Sequence, residues 1–206
     1  MADELFASAA YYYAHYRPFY PEDLIRDVVA RFDLSKDDRV IDIGAGTGQL
    51  SIQISPHVKE VVALEPDQEM IDEGKKLCEE HGAKNIRWVA SSAEDIGEAP
   101  SLGSFKIAVF GKSFHWLDRD RVLHHLESLL QPSGGIVIVG APSMWESTAG
   151  WELEIKKLVQ KYLGKERRAG SGTFHRSDET YSATLQRAGY LDIEHRTYSR
   201  EEKFSV

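Results

Sequence analysis

The sequence predicts an α/β fold: a doubly wound, mostly parallel sheet with helices on both faces. Three observations point there. Short apolar runs of strand length alternate with helical patterns along the chain. The runs VIDI, VVAL, IAVF and IVIV are almost continuously apolar, as strands buried on both faces are. A glycine-rich turn, GAGTG, joins the first of these runs to a helix.

The elements follow in order. Pro21 to Phe32 reads as a helix, with Pro21 suited to its first turn. RVIDIG is the first strand, and QLSIQIS a short helix after it. VVALE is the second strand. Gln68 to His81 is a longer helix, stopped by Gly82. IRWVA and FKIAVFG are the third and fourth strands. From Asp118 to Leu130, apolar residues fall at Val122, Leu123, Leu126, Leu129 and Leu130, which is a helical stripe, and Asp118 is placed to cap it. Pro132 and Gly134–Gly135 end that helix, and GGIVIVGAP is the fifth strand. Gly150 to Leu163 and Ser177 to Ala188 read as helices, the second closed by Gly189. YLDIEHRTY reads as a sixth strand.

A chain of 206 residues suits one domain with a sizeable core. With 42% hydrophobic and 28% charged residues it has the composition of a soluble globular protein. No apolar run approaches the roughly 18 residues a membrane helix needs. The opening MADELFASAAYYY has two acids and no basic stretch, unlike a secretory signal. A cytoplasmic protein without a membrane partner is expected. A single cysteine, Cys78, excludes an intramolecular disulfide and a cysteine-built metal site. The net charge of −8 argues against a nucleic-acid partner. His124 and His125 are adjacent on a helix and point to different faces, and no HExxH spacing occurs. No metal is expected.

In such folds ligands bind beyond the carboxyl ends of the strands. The loops after Ile43, Leu64, Ala90 and Phe110 should therefore line one crevice. In VIDIGAGTGQLS, glycines stand at 44, 46 and 48, a spacing of GxGxG. The dinucleotide fingerprint is GxGxxG, and position 49 is Gln. Asp42 lies two residues before the first glycine. A carboxylate there is costly beside a pyrophosphate and favourable beside a cationic ligand. Glu65, ending the second strand, can accept both hydroxyls of a ribose. The plainer readings are a turn without a ligand, Asp42 as a solvated strand end, and Glu65 as a charge favoured by a helix N-terminus.

In order and spacing, these residues resemble the class I S-adenosylmethionine-dependent methyltransferases over about residues 10–140. VIDIGAGTGQLS looks like the first family motif, ALEPDQEM the second and SSAEDI the third. FGKSFHWLD and LLQPSGGIVIVG are similar to the fourth and fifth. FHWLD, with YAHYRPFYP upstream, resembles the trans-aconitate methyltransferase-like, small-molecule subgroup. The resemblance implies a Rossmann-like fold, S-adenosylmethionine as cofactor and methyl transfer to a small-molecule acceptor. It implies that Gly44, Ala45, Gly46 and Gly48 pass under the methionine part, with Asp42 close by. Glu65 and Pro66 would meet the ribose, and Met70, Ser92, Ala93 and Glu94 the adenine. Lys112, Ser113 and Phe114 would sit near the sulfonium. Tyr13 and Arg17 would close over the cofactor carboxylate, the plainer reading being a surface aromatic cluster. The domain would divide into an N-terminal helical cap (1–36), a cofactor-binding core (37–142) and acceptor-side helices with the sixth strand (143–206). The family sheet has seven strands, the last antiparallel, so that strand is missing from this count.

Methyl transfer from a sulfonium is an in-line displacement, and the protein must chiefly align the acceptor. An oxygen acceptor, a carboxylate in particular, is favoured. His115 is the candidate catalytic base, having an ordinary pKa near neutrality. Its neighbours Phe114 and Trp116 favour a packing or cofactor-contact role instead. The basic segment 164–176 either carries Arg167, Arg168 and Arg176 to an anionic acceptor or is a solvated connection, the second being favoured. Two other functions stay open. A non-catalytic S-adenosylmethionine-binding protein would share these motifs. An NAD-dependent oxidoreductase would need a phosphate-binding glycine where Gln49 stands and a set such as Tyr-x-x-x-Lys, which is absent.

Overall fold

A computed structural model describes residues 9–98, 102–141, 145, 150–166, 168–169, 172–173 and 179–199. Its centre is a parallel sheet of five strands: β1 (Arg39–Ile43), β2 (Glu60–Glu65), β3 (Ile86–Ala90), β4 (Phe105–Gly111) and β5 (Leu130–Val139). Their order is β3-β2-β1-β4-β5, and every pairing is parallel. The order reverses at β1, which places the switch point between β1 and β4.

Side-chain alternation along the strands builds a core on each face. Val40, Val61, Ile107 and Val109 point one way, toward Leu24 and Ile25 of α2 (Glu22–Arg31) and Leu50 and Ile54 of α3 (Gln49–Ile54). Ile41, Ile43, Val62, Leu64 and Phe110 point the other way, toward Val122, Leu123 and Leu126 of α5 (Arg119–Leu129). A strand buried on both faces has no polar side to show, hence the apolar runs. Helix α4 (Gln68–Glu80) joins the α3 side through Leu77 and Cys78. Burial pushes the Cys78 thiol up to about 11, so it remains a protonated core group.

Capping explains the helix starts. Asp67 accepts from the N–H groups of Glu69 and Met70 to open α4. Asp118 accepts from Arg121 N–H to open α5. Thr180 opens α7 (Tyr181–Arg187) the same way, later than the predicted start at Ser177, which lies outside the described residues. A further helix, α1 (Ala10–Tyr16), precedes α2, and its Ala10 and Ala14 are buried. Helix α6 (Gly150–Leu163) follows β5 and has no buried residue. No described helix is long and apolar enough to cross a membrane. The side chains of Arg167, Arg168 and Arg176 lie outside the described residues.

Two expectations need correction. Pro132 and Gly134–Gly135 do not separate α5 from β5. The strand starts at Leu130, pairing with Phe105, and the register shifts before Ile107 pairs with Gly135. The bulge absorbs the proline and glycines inside the strand. Tyr190–Tyr198 forms no strand. Asp192 takes a left-handed φ of 54°, which breaks the extension. The polar side chains then pair with α2: Arg196 and Tyr198 both donate to Asp27 Oδ2, at 3.0 and 2.8 Å. Glu194 meets Arg31 at 3.0 Å.

Leu126 is fully buried in the α5-side core. Leu126→Ala should lower unfolding free energy by about 2–5 kcal/mol, measured by urea denaturation.

Candidate functional site at the carboxyl edge of the sheet

The five strands end together, so their loops gather at one edge. The chain leaves β1 through Gly44, Gly46 and Gly48, at φ of 67°, 58° and 81°. The left-handed φ suits glycine, and space adds to the demand at two of these positions. A Cβ on Gly44 would stand 2.6 Å from Ser113 Cβ, and one on Gly48 would stand 3.0 Å from the Trp88 ring. The turn is tied to β2 by two bonds, from Gly44 N–H (2.9 Å) and Ala45 N–H (3.0 Å) to the Leu64 carbonyl.

Glu65 braces the same turn. It is 8% exposed, and Oε2 accepts from Gly46 N–H at 2.8 Å while Oε1 accepts from Asp67 N–H at 3.2 Å. Burial pushes its carboxyl up, and these two bonds oppose the shift. Each carboxylate oxygen keeps a lone pair for a further donor.

Asp42 is the most confined charge in the site, at 1% exposure. Ser51 Oγ donates to its Oδ2 at 2.7 Å, while Oδ1 is buried with no partner. Burial pushes the carboxyl up to about 7, against the Ser51 hydrogen bond and reinforced by Glu65. A second buried polar atom, Gln49 Nε2, also lacks a partner. Both residues line one narrow pocket with Tyr13, Arg17, Tyr20, Gly44, Ala45, Gly46, Leu50 and Gly111. The Arg17 guanidinium lies 4.8 Å from the Tyr13 ring centroid. Burial raises both phenol pKa values, so Tyr13 and Tyr20 present neutral hydroxyls. An anionic acceptor, an amide donor and a guanidinium in one pocket suit a ligand carrying a cation and an anion close together.

The pocket thus gathers Tyr13, Arg17, Asp42, Gly44, Ala45 and Gly46 from the sequence expectation. It adds Tyr20, Gln49, Leu50 and Gly111. Tyr20 and Gln49 lay inside the quoted segments but carried no assigned contact. Other expected residues sit elsewhere along the edge. Ser113 Oγ donates to the Ile43 carbonyl, fixing the β4 loop to the end of β1. Phe114 is 1% exposed and packs in the core against Phe110 and Tyr181. Lys112 takes a left-handed φ of 61°, a strained state for a non-glycine residue, and its N–H donates to the Val139 carbonyl. His115 lies in a helical turn over Phe114–Trp116, its ring 4.8 Å from that of Trp116. On the β2–β3 side, Met70 and Ala93 are buried and Pro66 is half-buried. Ser92 bonds Asp95 at 2.7 Å, and Glu94 accepts from Asp118 N–H at 3.0 Å.

Residues 40–134 match the family described as a methyltransferase domain. The chain is similar to the class I S-adenosylmethionine-dependent methyltransferases. A methyltransferase relative in Dictyostelium discoideum is 30% identical over 136 residues, which is 66% of this chain and 48% of that protein. A Saccharomyces cerevisiae relative, named as an S-adenosylmethionine-dependent methyltransferase, is 28% identical over 125 residues, 59% of this chain and 42% of its own length. The chain therefore spans less than half the length of either relative. In fold it is similar to the crystal structure of an S-adenosylmethionine-dependent methyltransferase from Clostridium acetobutylicum. The TM-score is 0.52 at 20% identity, covering 63% of this chain and 55% of that one. The family's cofactor is S-adenosylmethionine, a molecule with an ammonium, a carboxylate and a sulfonium but no phosphate. The unpartnered Asp42 oxygen and Gln49 N–H fit such a zwitterionic methyltransferase cofactor, and the Asp42 carboxylate would meet a diphosphate poorly.

The buried Asp42 carboxyl has a measurable consequence. Its ordinary value is 3.8, and in the fold it rises to about 7. Between those values the native state holds more protons than the unfolded chain. Stability of the ligand-free protein should therefore fall as pH rises from about 4 to about 7, then level off. Asp42→Asn should flatten that decline in urea unfolding curves taken across the window.

Proposed function

We propose that this chain transfers the methyl group of S-adenosylmethionine to a small-molecule acceptor through oxygen, a carboxylate foremost. The observation that carries the cofactor part is the buried, unpartnered Oδ1 of Asp42, a residue that lines the pocket beside the glycine turn. Asp42 is proposed to accept from the cofactor ammonium, with Arg17 and Tyr13 closing over the carboxylate end. Arg17 suits this because a guanidinium grips a carboxylate in bidentate fashion. Gly44, Ala45, Gly46 and Gly48 let the tail approach the backbone closely. Glu65 keeps lone pairs for the ribose hydroxyls beside Pro66, and Met70, Ser92, Ala93 and Glu94 frame the adenine.

When bound, S-adenosylmethionine supplies a methyl carbon made electrophilic by its sulfonium. The chain's work is then alignment and exclusion of water. Lys112, Ser113 and Phe114 fix the loop after β4, and Trp116 with His115 forms an aromatic edge beside it. A carboxylate acceptor arrives ionised and needs no base. An alcohol arrives protonated, and His115 is the side chain after β4 suited to remove that proton.

The small-molecule reading rests on charge: at −8 the chain is a poor match for a polyanionic nucleic acid. The oxygen reading rests on the FHWLD and YRPFYP segments of the small-molecule subgroup. The test is turnover of S-adenosylmethionine against a panel of carboxylates, alcohols, amines and a structured RNA. Formation of S-adenosylhomocysteine with a carboxylate is the expected result. Turnover confined to amines or RNA would refute the acceptor class.

A further inference from the structure

We infer that Gln49 reads the carboxylate of the cofactor's amino-acid tail, and that Thr47 sets which end of its amide faces the pocket. The inference rests on the cofactor reading above. It starts from an imbalance. Gln49 is the first residue of α3 and is 4% exposed. Thr47, fully buried, donates its hydroxyl to Gln49 Oε1 at 2.9 Å. That bond satisfies the amide oxygen and turns the nitrogen away from it. Nε2 is left buried without a partner on the pocket wall. A dry, unmade donor costs folding free energy that an apolar residue of similar size would not.

The same pocket holds the other unpartnered atom, Asp42 Oδ1. The two do not bond each other. One is an anionic acceptor and the other a neutral donor, so together they complement a zwitterion. The ligand's ammonium goes to Asp42 by charge. Its carboxylate goes to donors of the pocket wall, among them Gln49 Nε2 and the Arg17 guanidinium. These two differ in kind. Arg17 is half-buried at the end of α1 and supplies charge. The Gln49 amide is held by a buried hydroxyl and supplies position. Fixed, short-reach donors discriminate between ligands more sharply than a long flexible cation does. Gln49 is therefore a specificity-determining contact for the α-carboxylate.

Calorimetry on the full chain with two ligands tests this: S-adenosylmethionine, and decarboxylated S-adenosylmethionine, which keeps the ammonium and lacks the carboxylate. Gln49→Leu should weaken S-adenosylmethionine about tenfold and leave the decarboxylated ligand within about twofold. Gln49→Glu, nearly the same shape, sets a carboxylate against a carboxylate. It should weaken S-adenosylmethionine further and tighten the decarboxylated ligand. Thr47→Val, which releases the amide, should weaken S-adenosylmethionine alone. Equal losses for both ligands would make Gln49 a structural residue and overturn the inference. So would a Gln49→Glu protein that binds S-adenosylmethionine as tightly as wild type. Wild type that binds neither ligand would overturn the cofactor reading as well, a result distinct from the other two.

Discussion

The site depends on one carboxylate kept out of water. Asp42 is the penultimate residue of the buried strand β1, with one oxygen bound by Ser51 and the other buried without a partner. A lone buried charge is expensive, and the protein meets the expense partly by raising the pKa to about 7. A cation delivered beside Oδ1 relieves the same cost. A diphosphate delivered there would add to it. In the proposed cofactor reading, Asp42 favours an amino-acid nucleoside over a dinucleotide.

Several features keep that carboxylate in place. The parallel register sets Asp42 beside Ala63 of β2 and Val109 of β4, so both neighbours exclude water. The left-handed glycines let the chain turn immediately beyond it. Glu65 holds the turn from β2 through Gly46 N–H, and Ser113 holds it from β4 through the Ile43 carbonyl. Two neighbouring strand ends therefore brace the loop with side chains that the sequence motifs associate with ligand contact. Bracing leaves Glu65 free to bind as well, since a carboxylate has lone pairs for both.

Much of this was legible in the sequence because it follows from local rules. Val40–Ile43 and Val61–Leu64 read as strands since both faces are buried. Asp118 read as a helix start because its side chain can accept from Arg121 N–H. The glycine spacing located the turn, and strand-end position located Asp42 and Glu65. What was not legible depended on tertiary partners. Tyr190–Tyr198 has strand-like residues, yet the left-handed Asp192 and the ion pairs to α2 settle its path. Phe114, which the resemblance sets near the sulfonium, packs against Phe110 and Tyr181, contacts that only the tertiary structure supplies. Gln49 entered only as the wrong residue for a phosphate turn. The role proposed for it comes from a tertiary detail, the Thr47 hydroxyl occupying its oxygen.

Proton release on ligand binding tests the Asp42 account most directly. Binding of S-adenosylhomocysteine, the spent cofactor, can be followed by calorimetry near pH 7 in two buffers of different ionisation enthalpy. The ligand ammonium should ionise a carboxyl whose pKa burial has raised, so binding should release protons. Asp42→Asn should abolish that release. Binding with no proton released by the wild-type chain would contradict the account.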